Sequence, residues 1–94
     1  MTLKQLLINQ EGTILDVRTT TEYQSGHVAG SYNIPVNELL QRLDELSELK
    51  QPLILCCASG GRSAMATYML KEQKFECIDA GSWHSITYLL SQKN

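Results

Sequence analysis

Apolar and polar positions alternate in blocks along this chain of 94 residues, and the spacing inside each block predicts its element. Leu3, Leu6, Leu7 and Ile8 recur at helical intervals and predict a first helix over 3–10, ended by Gly12. Thr13 to Val17 (TILDV) reads as a buried strand, Thr19 to Gln24 as a short helix stopped near Gly26, and Ser31 to Ile34 as a brief strand closed by Pro35. From there Val36, Leu39, Leu40, Leu43, Leu46 and Leu49 fall near one face, predicting a single amphipathic helix that Gln51-Pro52 stops. It spans fewer than three heptads, which argues for a core-facing helix rather than a coiled coil. Leu53 to Cys57 (LILCC) is apolar throughout, the mark of a strand covered on both faces in the middle of a sheet. After the glycine-rich Ala58-Ser59-Gly60-Gly61, the segment Arg62 to Gln73 resumes helical periodicity through Met65, Met69 and Leu70. Phe75 to Asp79 gives a last strand, Ala80-Gly81 a turn, and Ser82 an N-cap for a terminal helix carrying Trp83, Ile86, Leu89 and Leu90.

Strands alternating with helices imply an α/β fold, a parallel sheet with helices on both faces. The length supports one domain over 1–94, since two halves would each be too short for a core. Hydrophobic residues at 43% against 19% charged exclude disorder for most of the chain. Eight basic against ten acidic residues leave a net charge of −2, which argues against nucleic acid as a partner. The longest apolar run, Leu53 to Ala58, is far below the roughly 20 residues that cross a bilayer, so no membrane association is expected. The first residues lack both a charged leader and a long apolar stretch, which reads as a cytoplasmic protein. Three cysteines without a C-x-x-C spacing fit neither a disulfide scaffold nor a zinc site, leaving free thiols in a reducing compartment and no metal.

One segment carries chemistry. Ligands of open α/β sheets bind beyond the carboxyl ends of strands, where the next helix presents unpaired N–H groups. Cys57 occupies that end of the most buried strand. Its thiolate would be favoured by amides of the Ala58 to Ser63 loop and by Arg62, with Gly60 and Gly61 permitting the backbone to converge on one point. Between Leu49 and Lys71 stand Lys50, Arg62 and Lys71 and no acid, so the loop is expected to attract a small anion. A cysteine in an apolar strand is usually inert core; the spacing Cys57-x-x-Gly60-x-Arg62-Ser63 at a strand-to-helix junction argues otherwise here. Cys56 faces the other side of the strand and is read as core, as is Cys77. Ser63 is read as a helix cap or a partner of the sulfur. His27, between two glycines, is assigned a turn-stabilising hydrogen bond, Trp83 a packing role, and His84 none.

These segments resemble the rhodanese-like sulfurtransferase family. The likeness rests on Leu15-Asp16-Val17-Arg18 with Glu22 after it, on Gly26-His27-Val28-Ala29-Gly30-Ser31-Tyr32-Asn33-Ile34-Pro35, on the loop Cys57-Ala58-Ser59-Gly60-Gly61-Arg62-Ser63, and on Gly81 followed by Trp83. It departs from the family where Ala80 replaces the first of a glycine pair and where Cys56 stands in place of a frequent aromatic. The resemblance implies a single rhodanese-like domain with a five-stranded parallel sheet and helices on both faces, and Cys57 as the persulfide-forming residue. Asp16, Arg18 and Glu22 then look structural, an ion-pair and hydrogen-bond set around the loop. The implied activity is thiosulfate sulfurtransferase, without metal or organic cofactor, in a monomer whose partners are a small anionic sulfur donor and a thiol or protein acceptor. Two alternatives stand beside it. One is a non-catalytic binding module for an anion or partner. The other is an arsenate reductase or phosphatase of related fold, whose loop is one residue longer.

Overall fold

The computed structural model describes residues 1–92, and its framework is a four-stranded, all-parallel sheet in the order β2-β1-β3-β4. In chain order the elements are α1 (Leu3–Ile8), β1 (Thr13–Asp16), α2 (Thr20–Ser25), β2 (Tyr32–Asn33), a 3₁₀ segment (Val36–Gln41), α3 (Leu43–Ser47), β3 (Leu53–Cys57), α4 (Gly61–Glu72), β4 (Cys77–Ser82) and α5 (Trp83–Ser91). Every residue of β3 is buried, as its unbroken apolar run requires of a strand covered on both faces. It lies between β1, in register from Thr13↔Leu53 to Asp16↔Cys56, and β4.

Side chains alternate across the sheet and build two cores. Leu15, Val17, Leu53, Leu55 and Cys57 join Leu39, Leu46, Ala66 and Leu70 on one face, under the 3₁₀ segment, α3 and α4. Ile54 and Cys56 join Leu7, Val28 and Ile86 on the other, under α1 and α5. No helix among the described residues is long and apolar enough to cross a membrane.

Four expectations change. The five strands implied by the resemblance become four among the described residues, the remaining segments being helix, 3₁₀ or turn. The single helix expected from Val36 to Leu49 is two pieces broken at Arg42, whose φ of −126° and ψ of 31° leave the helical region. Three residues per turn put Val36 and Leu39 on the core side and swing Leu40 outward, 51% exposed. Arg42 bridges the break with hydrogen bonds to Glu38 at 3.0 Å and to Glu45 at 2.8 and 2.9 Å. In α4 the inward positions are Ser63, Ala66, Thr67 and Leu70, spaced i, i+3, i+4, i+7, while Met65 is 56% exposed. Finally, β4 runs on through the expected turn at Ala80-Gly81. Leu55 pairs with Asp79 but Cys57 with Ser82, so β4 carries one extra residue, a bulge made possible by Gly81 at φ +74°.

Candidate active site

The chain leaves β1 toward β2 on one side, and β3 lies on the other side of β1, so the order reverses between β1 and β3, where open α/β sheets form their crevice. Cys57 ends β3 there. Its residue is fully buried, directly below a loop whose outer members Ala58, Ser59 and Gly61 are exposed. Gly60 adopts φ +102°, a left-handed conformation that glycine reaches without penalty, and so turns its N–H back onto the strand end. That N–H donates to Cys57 Sγ at 3.0 Å, and the Ser63 N–H, from the first turn of α4, donates at 3.3 Å. The sulfur thus lies in the opening of a helix N-terminus, where orphan amides favour negative charge. Burial pushes the Cys57 thiol up, but hydrogen bonds from Ser63, Gly60 and Ser59 outweigh it and leave the thiol below its ordinary value. The other two cysteines lack such donors. Burial pushes Cys56 up to about 12 and Cys77 up to about 11.

Arg62 does not point its guanidinium at the sulfur. It forks onto Glu22, with Nη1 to Oε1 at 2.7 Å and Nη2 to Oε2 at 3.0 Å, on the rim of the loop. Arg62 beside it, helped by the Thr19 N–H, holds the Glu22 carboxyl down at about 2. Glu22 also closes the start of α2, accepting from the Thr19 N–H while Thr19 Oγ1 accepts from the Glu22 N–H. The expected basic surround of the loop is therefore revised. Lys50 lies before β3, at the opposite end from Cys57, with its Nζ 4.0 Å from Glu11, and Lys71 belongs to the last turn of α4. Arg62 alone of the three borders the loop, and its charge is matched by Glu22.

Asp16, Arg18 and Glu22 form two pairs rather than one set. Asp16 and Arg18 make a buried ion pair at 2.8 Å, with Arg18 Nε donating to both carboxylate oxygens at 3.0 and 3.1 Å. Arg18 also donates to the Gly26 carbonyl at 2.7 Å and lies 4.8 Å from the Trp83 ring centre. Its one link to Glu22 is a 3.4 Å bond to the backbone carbonyl. His27 Nδ1 donates to the Tyr23 carbonyl at 2.7 Å and its ring stacks on Tyr23.

Asp79 is the residue that sequence reasoning missed. Its Oδ1 accepts from Ser63 Oγ at 2.8 Å and from the Gly81 N–H at 3.0 Å. An aspartate followed two residues on by glycine is a turn-forming pattern, the one local signal that could have drawn attention to it.

The family model of the rhodanese-like domain matches residues 2–90. Over 65 residues the chain is 41% identical to the putative sulfur carrier protein YrkF of Bacillus subtilis, a match covering 69% of this chain and 35% of that protein. It is 35% identical over 74 residues to the thiosulfate sulfurtransferase GlpE of Pseudoalteromonas translucida, covering 79% of this chain and 70% of that one. The chain thus spans about a third of YrkF and over two thirds of GlpE. The human single-domain sulfurtransferase TSTD1 superposes with a TM-score of 0.73 over 98% of this chain and 92% of its own, a likeness of fold at 24% identity. With the four sequence segments, the parallel sheet and the strand-end loop in agreement, the chain belongs to the rhodanese-like domain family.

Proposed function

We propose that this chain is a sulfurtransferase that carries sulfane sulfur on Cys57. The supporting observation is the pair of backbone N–H groups aimed at Sγ from Gly60 and Ser63. Donors fixed there favour the thiolate before reaction and are positioned to stabilise negative charge on the sulfur after it, at no cost in reorganisation. In the first step the Cys57 thiolate attacks the outer sulfur of thiosulfate. A Cys57 S–S bond forms, the donor's own S–S bond breaks, and sulfite leaves with its electron pair. In the second step a nucleophile attacks the terminal sulfur and Cys57 departs as thiolate, yielding thiocyanate from cyanide or a persulfide from a thiol. The two steps balance with no metal or organic cofactor. Ala58, Ser59, Gly60, Gly61 and Ser63 act here as the wall that holds the sulfur, and Arg62 as the rim group tied down by Glu22. The names of the relatives, a sulfur carrier and a thiosulfate sulfurtransferase, favour the same chemistry.

Intact-mass measurement after incubation with thiosulfate tests the reading. The expected result is a gain of one sulfur atom, removed by cyanide and lost in Cys57→Ser. An unchanged mass in the wild-type chain would falsify it.

A further inference from the structure

The sulfur-bearing loop is not held by its own residues alone. Ser63, whose N–H donates to Cys57 Sγ, is fully buried, and its hydroxyl reaches out of α4 to the carboxylate of Asp79 on β4, 16 positions along the chain. A hydroxyl has one proton to give, and a carboxylate at 2.8 Å is a stronger acceptor than the Gly60 carbonyl at 3.1 Å. The same Asp79 oxygen accepts the Gly81 N–H and so fixes the extra residue of the β4 bulge. That bulge is the piece of β4 beside the loop: a Cβ placed on Gly60 would stand 3.9 Å from the Gly81 Cα. One carboxylate oxygen therefore joins the bulged strand to the first turn of the helix whose amides meet the sulfur.

The geometry points to Asp79 as a positioning residue for the Cys57 sulfur, fixing the Ser63 backbone so that its N–H stays aimed at Sγ. The hydrogen bonds of Asp79 go to Ser63 and Gly81 and not to the sulfur, so it positions the sulfur's donor through Ser63. The inference rests on Cys57 being the reactive sulfur, but its test needs no sulfur donor.

The experiment is the pH dependence of Cys57 alkylation by iodoacetamide in Asp79→Ala and Asp79→Asn, read by mass spectrometry at that residue. Both variants remove the charge, while asparagine keeps an oxygen able to accept from Ser63 and Gly81. The difference between them therefore isolates the hydrogen bonds from the through-space effect of the carboxylate. The Ala variant is expected to have its midpoint about 0.5–1 pH unit above the Asn variant, the shift that one hydrogen bond of this kind supports. Asp79→Val, suited to a strand and without an acceptor, serves where Asp79→Ala does not fold, and is expected to lie above Asp79→Asn in the same way. An Ala-variant midpoint at or below that of Asn overturns the inference, as a released Ser63 hydroxyl turning to the sulfur would produce. Failure of wild-type sulfur loading with the Ala and Asn midpoints ordered as expected would sink the sulfurtransferase reading and leave the positioning role intact.

Discussion

Three thiols in one small chain are sorted by their immediate neighbours. Cys56 and Cys57 are adjacent, yet the alternation of the strand sends them into different cores, and only Cys57 meets inward-facing amides. With the Cys57 thiol lowered and the other two raised, alkylation at neutral pH is expected to fall on Cys57, as peptide mass mapping would show. Around that sulfur, Arg62 and Glu22 cancel each other, so each single neutralisation exposes the other's charge. Arg62→Ala leaves Glu22 ionised and unopposed and should raise the alkylation midpoint of Cys57. Glu22→Gln leaves Arg62 unopposed and should lower it. Each shift is expected at about 0.3–0.5 pH unit, the reach of one solvent-screened charge across a loop. Midpoints that move in the same direction for both variants would contradict the pairing. The sequence made the cysteine and its loop legible because strand, glycines and arginine are contiguous. It did not show which carboxylate Arg62 would meet, since Glu22 is 40 residues away and the encounter is tertiary.

At the scale of elements, pattern reading succeeded where periodicity and burial coincide. The apolar run of β3 became the fully buried strand, and α1, α2 and α5 formed close to their expected spans. It failed where the chain departs from a regular period. Winding of Val36–Gln41 at three residues per turn, with a break at Arg42, is invisible to a 3.6-residue template. Gly81 reads as a turn in any window, and only the bulge against β3 reveals that it belongs to a strand. In α4 the inward face consists of serine, alanine, threonine and leucine at i, i+3, i+4 and i+7; of the apolar residues that mark the helix in the sequence, Leu70 is buried while Met65 lies outside. Unfolding in urea gives the check. Met65→Gln should change stability by no more than about 0.5 kcal/mol. Leu70→Ala, fully buried one turn beyond Ala66, should cost about 2–5 kcal/mol. A larger loss in Met65→Gln than in Leu70→Ala would reverse the assigned faces of α4.

The molecule as a whole concentrates its buried polar groups at one end of the sheet. Arg18 leaves the end of β1, pairs with Asp16, caps the carbonyl of Gly26 after α2, and lies against Trp83 at the start of α5. One guanidinium therefore joins the sheet to helices from two different parts of the chain. Asp16→Ala would leave it buried without its carboxylate, and the expected loss is about 3–5 kcal/mol in urea unfolding. A loss under about 1 kcal/mol would show that solvent reaches Arg18 and that the pair is not a structural tie. Glu22 gives the same end of the molecule a different property, because its Oε1 both receives the Thr19 N–H that begins α2 and grips Arg62 beside the sulfur loop. A helix entrance and the margin of a reactive pocket, far apart in sequence, meet at one carboxylate, so acid strong enough to discharge it would slacken both together.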